Sequence, residues 1–392
     1  MPLDTVSETT HRSWLQRLGA AFTGVLAGLV IVGLGIGLLA WNEGRAIARA
    51  RGLSEGGRGV IVAPLARVDP ANEGRLIHLS GPLRVEGRRE DPISGVAADG
   101  VSLRRDVEYY QWVETSRSET RTRLGGGEET VTIYDYRKDW SATPVASADF
   151  HTPAGHENLT PPLEGALVSA QEGRLGAYRV DHRLLDTVAP TVPVAVTEAD
   201  ARRLSVALSR PVRVENDALY VGANSAAPAV GDMRIRYVAA PAAVVSVVAA
   251  QRSGGLEPFL TRNGEEIYLT AAGAMTADDM FRQARDGNRM LSWVLRVVGI
   301  AGLILGLGLI LGPLSTLADV LPPVGSLVRF GTGALAFVGG LSIGVVVIAV
   351  SWFLVRPVFA ACSLVVLGAV VGGLIWFRNR RPAAAAISAP TP

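Results

Sequence analysis

Cysteine and lysine are almost missing from this chain: Cys362 and Lys138 are the only ones. A lone thiol makes no intramolecular disulfide and no cysteine-based zinc site. The positive charge is therefore carried by arginine, which reads as the codon bias of a GC-rich bacterium. Net charge is small, +2 from 38 basic and 36 acidic residues. No Lys/Arg-dense tract stands out, so nucleic acid is not an expected partner. The G-x-S-x-G, H-E-x-x-H and P-loop patterns are absent. Gly125-Gly126-Gly127 is followed by Glu128-Glu129, the wrong sign for a phosphate cradle.

Hydrophobic residues, by contrast, make up 48% of the 392 residues, and mean hydropathy is +0.28. The excess sits in a few long uncharged runs, which points to lipid as solvent. Residues 20–40 carry no charge. At about 1.5 Å per residue they cover roughly 31 Å, the thickness of the hydrocarbon core. The run is also longer than the apolar region of a cleaved signal peptide. Further spans are expected over 291–311, 330–353 and 358–377, with 312–329 as a Pro-broken loop at the interface. None of these runs holds an acidic residue that could relay protons or bind cations, which lowers a transporter reading.

Trp14, Trp41, Trp293, Trp352 and Trp376 fall at the ends of these runs, where indole rings prefer the headgroup layer. Arg296 near the start of the second span is expected to snorkel outward, and Arg356 to mark the hairpin between the last two. Glycines recur one turn apart as Gly24/Gly28, Gly33/Gly37, Gly302/Gly306, Gly340/Gly344 and Gly368/Gly372. Such spacing lets helix backbones approach closely, within a chain or between copies. Arg378, Arg380 and Arg381 at one end, and Arg12 and Arg17 at the other, favour cytoplasmic termini. Residues 41–290 would then face the periplasm.

This central stretch alternates apolar and polar residues in many short runs, with turn signals between them. In residues 130–140, Thr132, Tyr134, Tyr136 and Lys138 share one side. A short amphipathic helix should open at Thr197, and another at Thr276 should run into the second span. Few helices and no regular β-α alternation predict an α+β, mostly antiparallel domain. The fold class expected is therefore an α+β membrane protein. It has an N-terminal tail (1–19), one N-terminal and three C-terminal transmembrane helices, a large β-rich domain between them, and a disordered end (378–392).

The one candidate for chemistry is the loop holding His151, His156 and Glu157. Two histidines and a carboxylate could bind zinc, but five-residue spacing in a Pro/Gly loop is no recognised ligand pattern. A structured turn is the plainer reading, and no catalytic residue or cofactor is assigned.

Several patches in order resemble the LUMA family, also called the transmembrane protein 43 family. They are Trp41-Asn42-Glu43-Gly44-Arg45, residues 109–115 (YYQWVET), Gly155-His156-Glu157-Asn158, Gly231-Asp232-Met233-Arg234, residues 247–252 (VVAAQR), residues 258–261 (PFLT), Trp293 with Arg296, and Trp352-Phe353 with Arg356-Pro357. The resemblance implies four spans, a large luminal or periplasmic domain and self-association. It also implies a role in organising other membrane proteins, with no enzyme activity. Animal members reside at the endoplasmic reticulum and inner nuclear membrane. A bacterium has no lamina, so those partners do not carry over. The expected function is a non-enzymatic, self-associating scaffold in a bacterial inner membrane. An ion channel or channel regulator, and an enzyme or metal protein using the His151/His156/Glu157 loop, are the alternatives.

Overall fold

The computed structural model describes residues 4–355. These residues form two compact units.

The first unit holds residues up to 18, then 48–288 and 316–325. It is built on two sheets. One runs, in strand order, β1 (Asp4–Arg12), β4 (Glu128–Ser141), β3 (Ser102–Thr122), β6 (Met233–Ala240), β5 (Ala218–Val221) and Val212–Glu215. The other centres on β2 (Leu76–Arg84) and β7 (Val244–Arg252), which pair antiparallel. From β7 the pairing continues through Gly255–Glu257, Tyr178–Val180 and Gly173–Leu175 back to β2. The ring therefore closes into a small barrel, which removes exposed edges from those strands. Ile77, Leu79, Tyr178, Val245 and Val247 fill it. The expectation of a mostly antiparallel α+β domain holds.

Each sheet has its own reason to stay packed. Under the first lie Leu103, Leu219, Ile235 and Tyr237, with Ala201 and Leu204 of α2 (Glu198–Leu208). Thr197 caps α2 through a reciprocal capping box with Asp200, as the sequence predicts. A buried ion pair joins Arg105 on β3 to Asp91. Asp91 also accepts the Ile93 and Ser94 N–H groups, and Tyr237 donates to Ser94 Oγ at 2.7 Å. These extra bonds satisfy lone pairs that a bare buried carboxylate would leave unmet.

The long helices depart from the expected spans and loop. Helix α1 (Trp14–Gly59) runs past Gly56-Gly57, a glycine pair of the kind that ordinarily marks a helix end. A Cβ at Gly56 would collide with Ile267, Leu76 and Phe281, so glycine here allows close packing instead of stopping the helix. Helix α3 (Ala277–Ala318) carries the second span through Pro313, and α4 (Pro322–Val355) begins at once. Helix therefore replaces most of the expected interfacial loop 312–329. Proline is well placed in a first helical turn, where its missing N–H has no partner anyway, while inside a helix it costs one bond. Three helices among the described residues, not four, are long and apolar enough to cross a membrane. The expected fourth span (358–377) and the end 378–392 lie outside the described residues.

The stretch taken as an N-terminal tail is largely strand. β1 pairs along its whole length with β4, from Asp4↔Tyr136 to Arg12↔Glu128. Gly125 and Gly126, both at positive φ, turn the β3–β4 hairpin as their composition predicts. The tip of that hairpin meets the first turn of α1. Arg17 donates to Gly126 O at 2.7 Å and pairs with Asp319 at 2.6 Å, and Trp14 Nε1 donates to Thr316 O at 2.9 Å. Trp14 is therefore held by protein contacts. Thr9 and Val131 are direct neighbours in the register. A Thr9→Cys, Val131→Cys chain with Cys362→Ser should form a disulfide in native membranes, read by a non-reducing mobility shift. Free thiols at both positions would mean that the ladder is absent there.

Candidate functional site

One face of the β1–β4–β3 ribbon carries the candidate loop. In an antiparallel pair, directly opposed residues share a face. The register Asp4↔Tyr136↔Glu114, with Trp112↔Lys138 and Tyr134 two residues on, therefore aligns carboxylates and aromatic rings. Residues 150–158 lie over them. The His156 ring stacks on Tyr136 (centroids 3.9 Å, 17° between planes) and meets the edge of Trp112 at 4.7 Å. His151 stacks on Tyr134 at 4.1 Å.

Each histidine has a separate partner on β1. His156 Nε2 is 3.2 Å from Asp4 Oδ2, and its Nδ1 is 2.9 Å from Thr152 O. His151 Nδ1 is 3.8 Å from Glu8 Oε2. Glu157 turns away and accepts the Gly155 N–H at 2.9 Å, which holds its carboxyl below the usual range. Gly155 sits at φ +85°, where glycine is favoured. The three residues read as possible ligands thus occupy three different contacts. No group of three His, Cys, Asp or Glu residues among the described residues is placed to hold a metal.

Asn158, in the same motif, is a cross-brace. It receives the Trp112 N–H at 2.7 Å and donates to Trp112 O at 3.0 Å and Val145 O at 3.1 Å. Its side chain thus replaces a neighbouring strand at one residue of β3. Gln111 repeats the device with Thr143 O and Val145 N. Tyr136 donates to Glu114 at 2.6 Å and receives the Thr152 N–H. Burial, then the Glu114 carboxylate, raises its phenol above the ordinary value, so it remains a protonated donor.

Gly231-Asp232-Met233 abuts the same strand. Asp232 accepts from Tyr220 OH at 2.6 Å and the Ala229 N–H at 2.9 Å, and Arg210 is 3.5 Å away. Burial and Asp232 push the Tyr220 phenol up. Tyr109, Gln111, Arg210 and Met233 border a cavity of about 340 Å³. Motifs scattered along the sequence therefore converge on one region of the first unit.

The second unit holds, among the described residues, 19–47, 289–315 and 326–355. It contains a charge cluster that sequence reasoning missed. Glu43 on α1 is 1% exposed. It binds Arg296 of α3 in a two-point pair at 2.6 and 2.9 Å, and Trp352 Nε1 of α4 donates to it at 2.7 Å. Arg296 also lies 4.9 Å from the Trp293 ring centre. Asn42 donates to Ser292 O, and Arg45 to Ser292 Oγ. Arg296 is thus turned inward to a carboxylate, where the sequence suggested snorkelling. The signal was the motif W-N-E-G-R itself, with an acid one turn after the apolar run.

Glycines divide into two sets. Gly28 and Gly306 face each other so closely that a Cβ at Gly28 would come within 2.6 Å of Gly306 O. Gly340 and Gly344 abut Ile304 and Ile300, and Gly24 meets only Leu309 at 3.9 Å. At Gly33, Gly37 and Gly302 an added Cβ meets nothing within 4 Å among the described residues. Trp41 and Trp293 are exposed. Arg356, Gly368, Gly372 and Trp376 lie outside the described residues.

Two substitutions test these roles. Asn158→Ala removes three bonds to partly buried groups and should lower stability by about 2–4 kcal/mol, read by thermal unfolding in detergent. Glu43→Ala leaves Arg296 buried opposite no carboxylate and should cost about 3–5 kcal/mol, whereas Glu43→Ala with Arg296→Met should recover part of the loss. An additive double variant would show that the pair is not coupled.

Residues 109–357 match the family described as Transmembrane protein 43. Transmembrane protein 43 of Rattus norvegicus is 33% identical over 91% of this chain and 90% of its own length. The Homo sapiens protein is 32% identical over 96% and 95%. The Transmembrane protein 43 homolog of Drosophila melanogaster is 27% identical over 95% and 96%. No solved structure matches. With the spanning helices and the convergent motifs, these matches establish that the chain belongs to the transmembrane protein 43 family, as an integral membrane protein.

Proposed function

We propose that this chain is a non-enzymatic membrane scaffold that self-associates and gathers other membrane proteins. The observation that carries the reading is the open glycine face of α1. Gly33 and Gly37 lie one turn apart, with nothing within 4 Å of an added Cβ among the described residues. Leu29, Val30, Leu34 and Ile36 beside them are exposed. In lipid, apolar side chains alone give little drive to association, and small residues that admit a second backbone supply it. Among the described residues, Gly308 on α3 likewise has nothing within 4 Å of an added Cβ.

The separate engagement of His151, His156 and Glu157 favours a structural loop over a metal or catalytic one. The pairing of Glu43 with Arg296 likewise favours a structural contact over an ion path. The proposed location is a bacterial inner membrane, with residues 41–290 in the periplasm and other, unidentified membrane proteins as partners.

The reading is tested by the mass of the protein purified from native membranes in mild detergent. Wild type should run as a defined oligomer. Gly33→Leu with Gly37→Leu should shift it toward monomer with unchanged unfolding temperature. A monomeric wild type, or an oligomer indifferent to both changes, removes the proposal.

A further inference from the structure

Arginines crowd one cleft of the first unit. Its volume is about 670 Å³, and its walls include Arg51 and Arg58 from the end of α1, Arg75 before β2, and Phe259 and Arg262 from the segment after β7. Arg51 and Arg58 are seven residues apart on α1, which places them on one face two turns apart. Glu55 is the one carboxylate in the lining. It accepts the Arg262 backbone N–H and lies 3.9 Å from that guanidinium. Among the described residues, Arg58 and Arg75 make no ion pair with a carboxylate. Arg51, Arg58, Arg75 and Arg262 thus border a cleft with one carboxylate in its lining, beside the α1 C-terminus, whose dipole contributes only about −0.5 charge.

Like charges converge at a cost, and a counter-ion relieves it. A guanidinium is a planar fork of donors that matches phosphate oxygens two at a time. Gly59 and Gly74 line the same cleft, with nothing within 4 Å of an added Cβ among the described residues, so little side-chain bulk limits access there. The volume lies within the range of small-molecule sites, roughly 300–1,000 Å³.

We infer that this cleft binds an anion carrying phosphate groups. Such groups come from a soluble phosphorylated molecule or from a phosphorylated lipid headgroup. The first fits the helix better. Arg51 follows the end of the apolar run at Ala40 by eleven residues, about 16 Å along the axis. The headgroup layer is only about 5–8 Å thick. This inference is independent of the scaffold reading.

The test uses full-length protein in detergent with inorganic pyrophosphate as the probe. A second arm uses nanodiscs with or without phosphatidylinositol bisphosphate. Calorimetry and thermal shift are the readouts. The variant is Arg58→Ala with Arg75→Ala; both side chains are exposed, so the fold and unfolding temperature should be retained. Arg117→Ala with Arg202→Ala is the control for general charge. Saturable pyrophosphate binding that weakens by about tenfold or more in the first variant, and not in the control, supports the site with a soluble ligand. A stabilisation seen only with the phosphorylated lipid, and lost in the same variant, supports it with a lipid ligand. Absence of both effects, or equal loss in the control, overturns the inference.

Discussion

Glu43 and Arg296 bring opposite charges together inside an otherwise apolar helical unit. Either charge alone would be expensive there, because neither lipid nor packed side chains can solvate it. Together they make a two-point pair, and the Trp352 indole satisfies a further lone pair of the carboxylate. The three groups come from α1, α3 and α4, so the cost of separating them specifies which helices meet. Gly28 and Gly306 add a second condition, since only residues without side chains let those backbones come so close. Charge pairing selects the partners and glycine sets the distance.

The first unit uses a different economy. Its ribbon is rich in Ser, Thr, Arg and Glu, and much of it is exposed. Little apolar burial holds it. Stability comes instead from side chains that act as extra backbone: Asn158 bonds β3 where no strand lies beside it, and Gln111 of β3 bonds the backbone of residues 143 and 145. The 150–158 loop then lies across the aromatic face, and its histidines reach carboxylates of β1. A loop that looked like a candidate for chemistry is a fastening between three strands. Metal binding asks several ligands to converge on one point, whereas here each imidazole is spread flat on its own tyrosine.

Spans, caps and aromatic alternation were legible in advance because they depend on near neighbours. An uncharged run of hydrocarbon length needs no tertiary contact to declare itself. Thr197 caps α2 with a residue three positions away. Tyr134 and Tyr136 share a face through the period of the strand. Family membership was legible too, since motifs such as G-H-E-N and Y-Y-Q-W-V-E-T are read directly.

What the sequence by itself determined is therefore the membrane character, the α+β class and the family. Only the tertiary structure decided the role of residues whose partners are remote in the chain. β1 finds β4 more than 110 positions away, Arg17 finds Asp319, and Glu43 finds Arg296. Pairing at such separations is set by the shape of the folded chain and leaves no local period or spacing. The same holds for glycine. Its recurrence shows that backbones can approach, but only the packed helices tell Gly28, which is covered, from Gly33, which is open among the described residues.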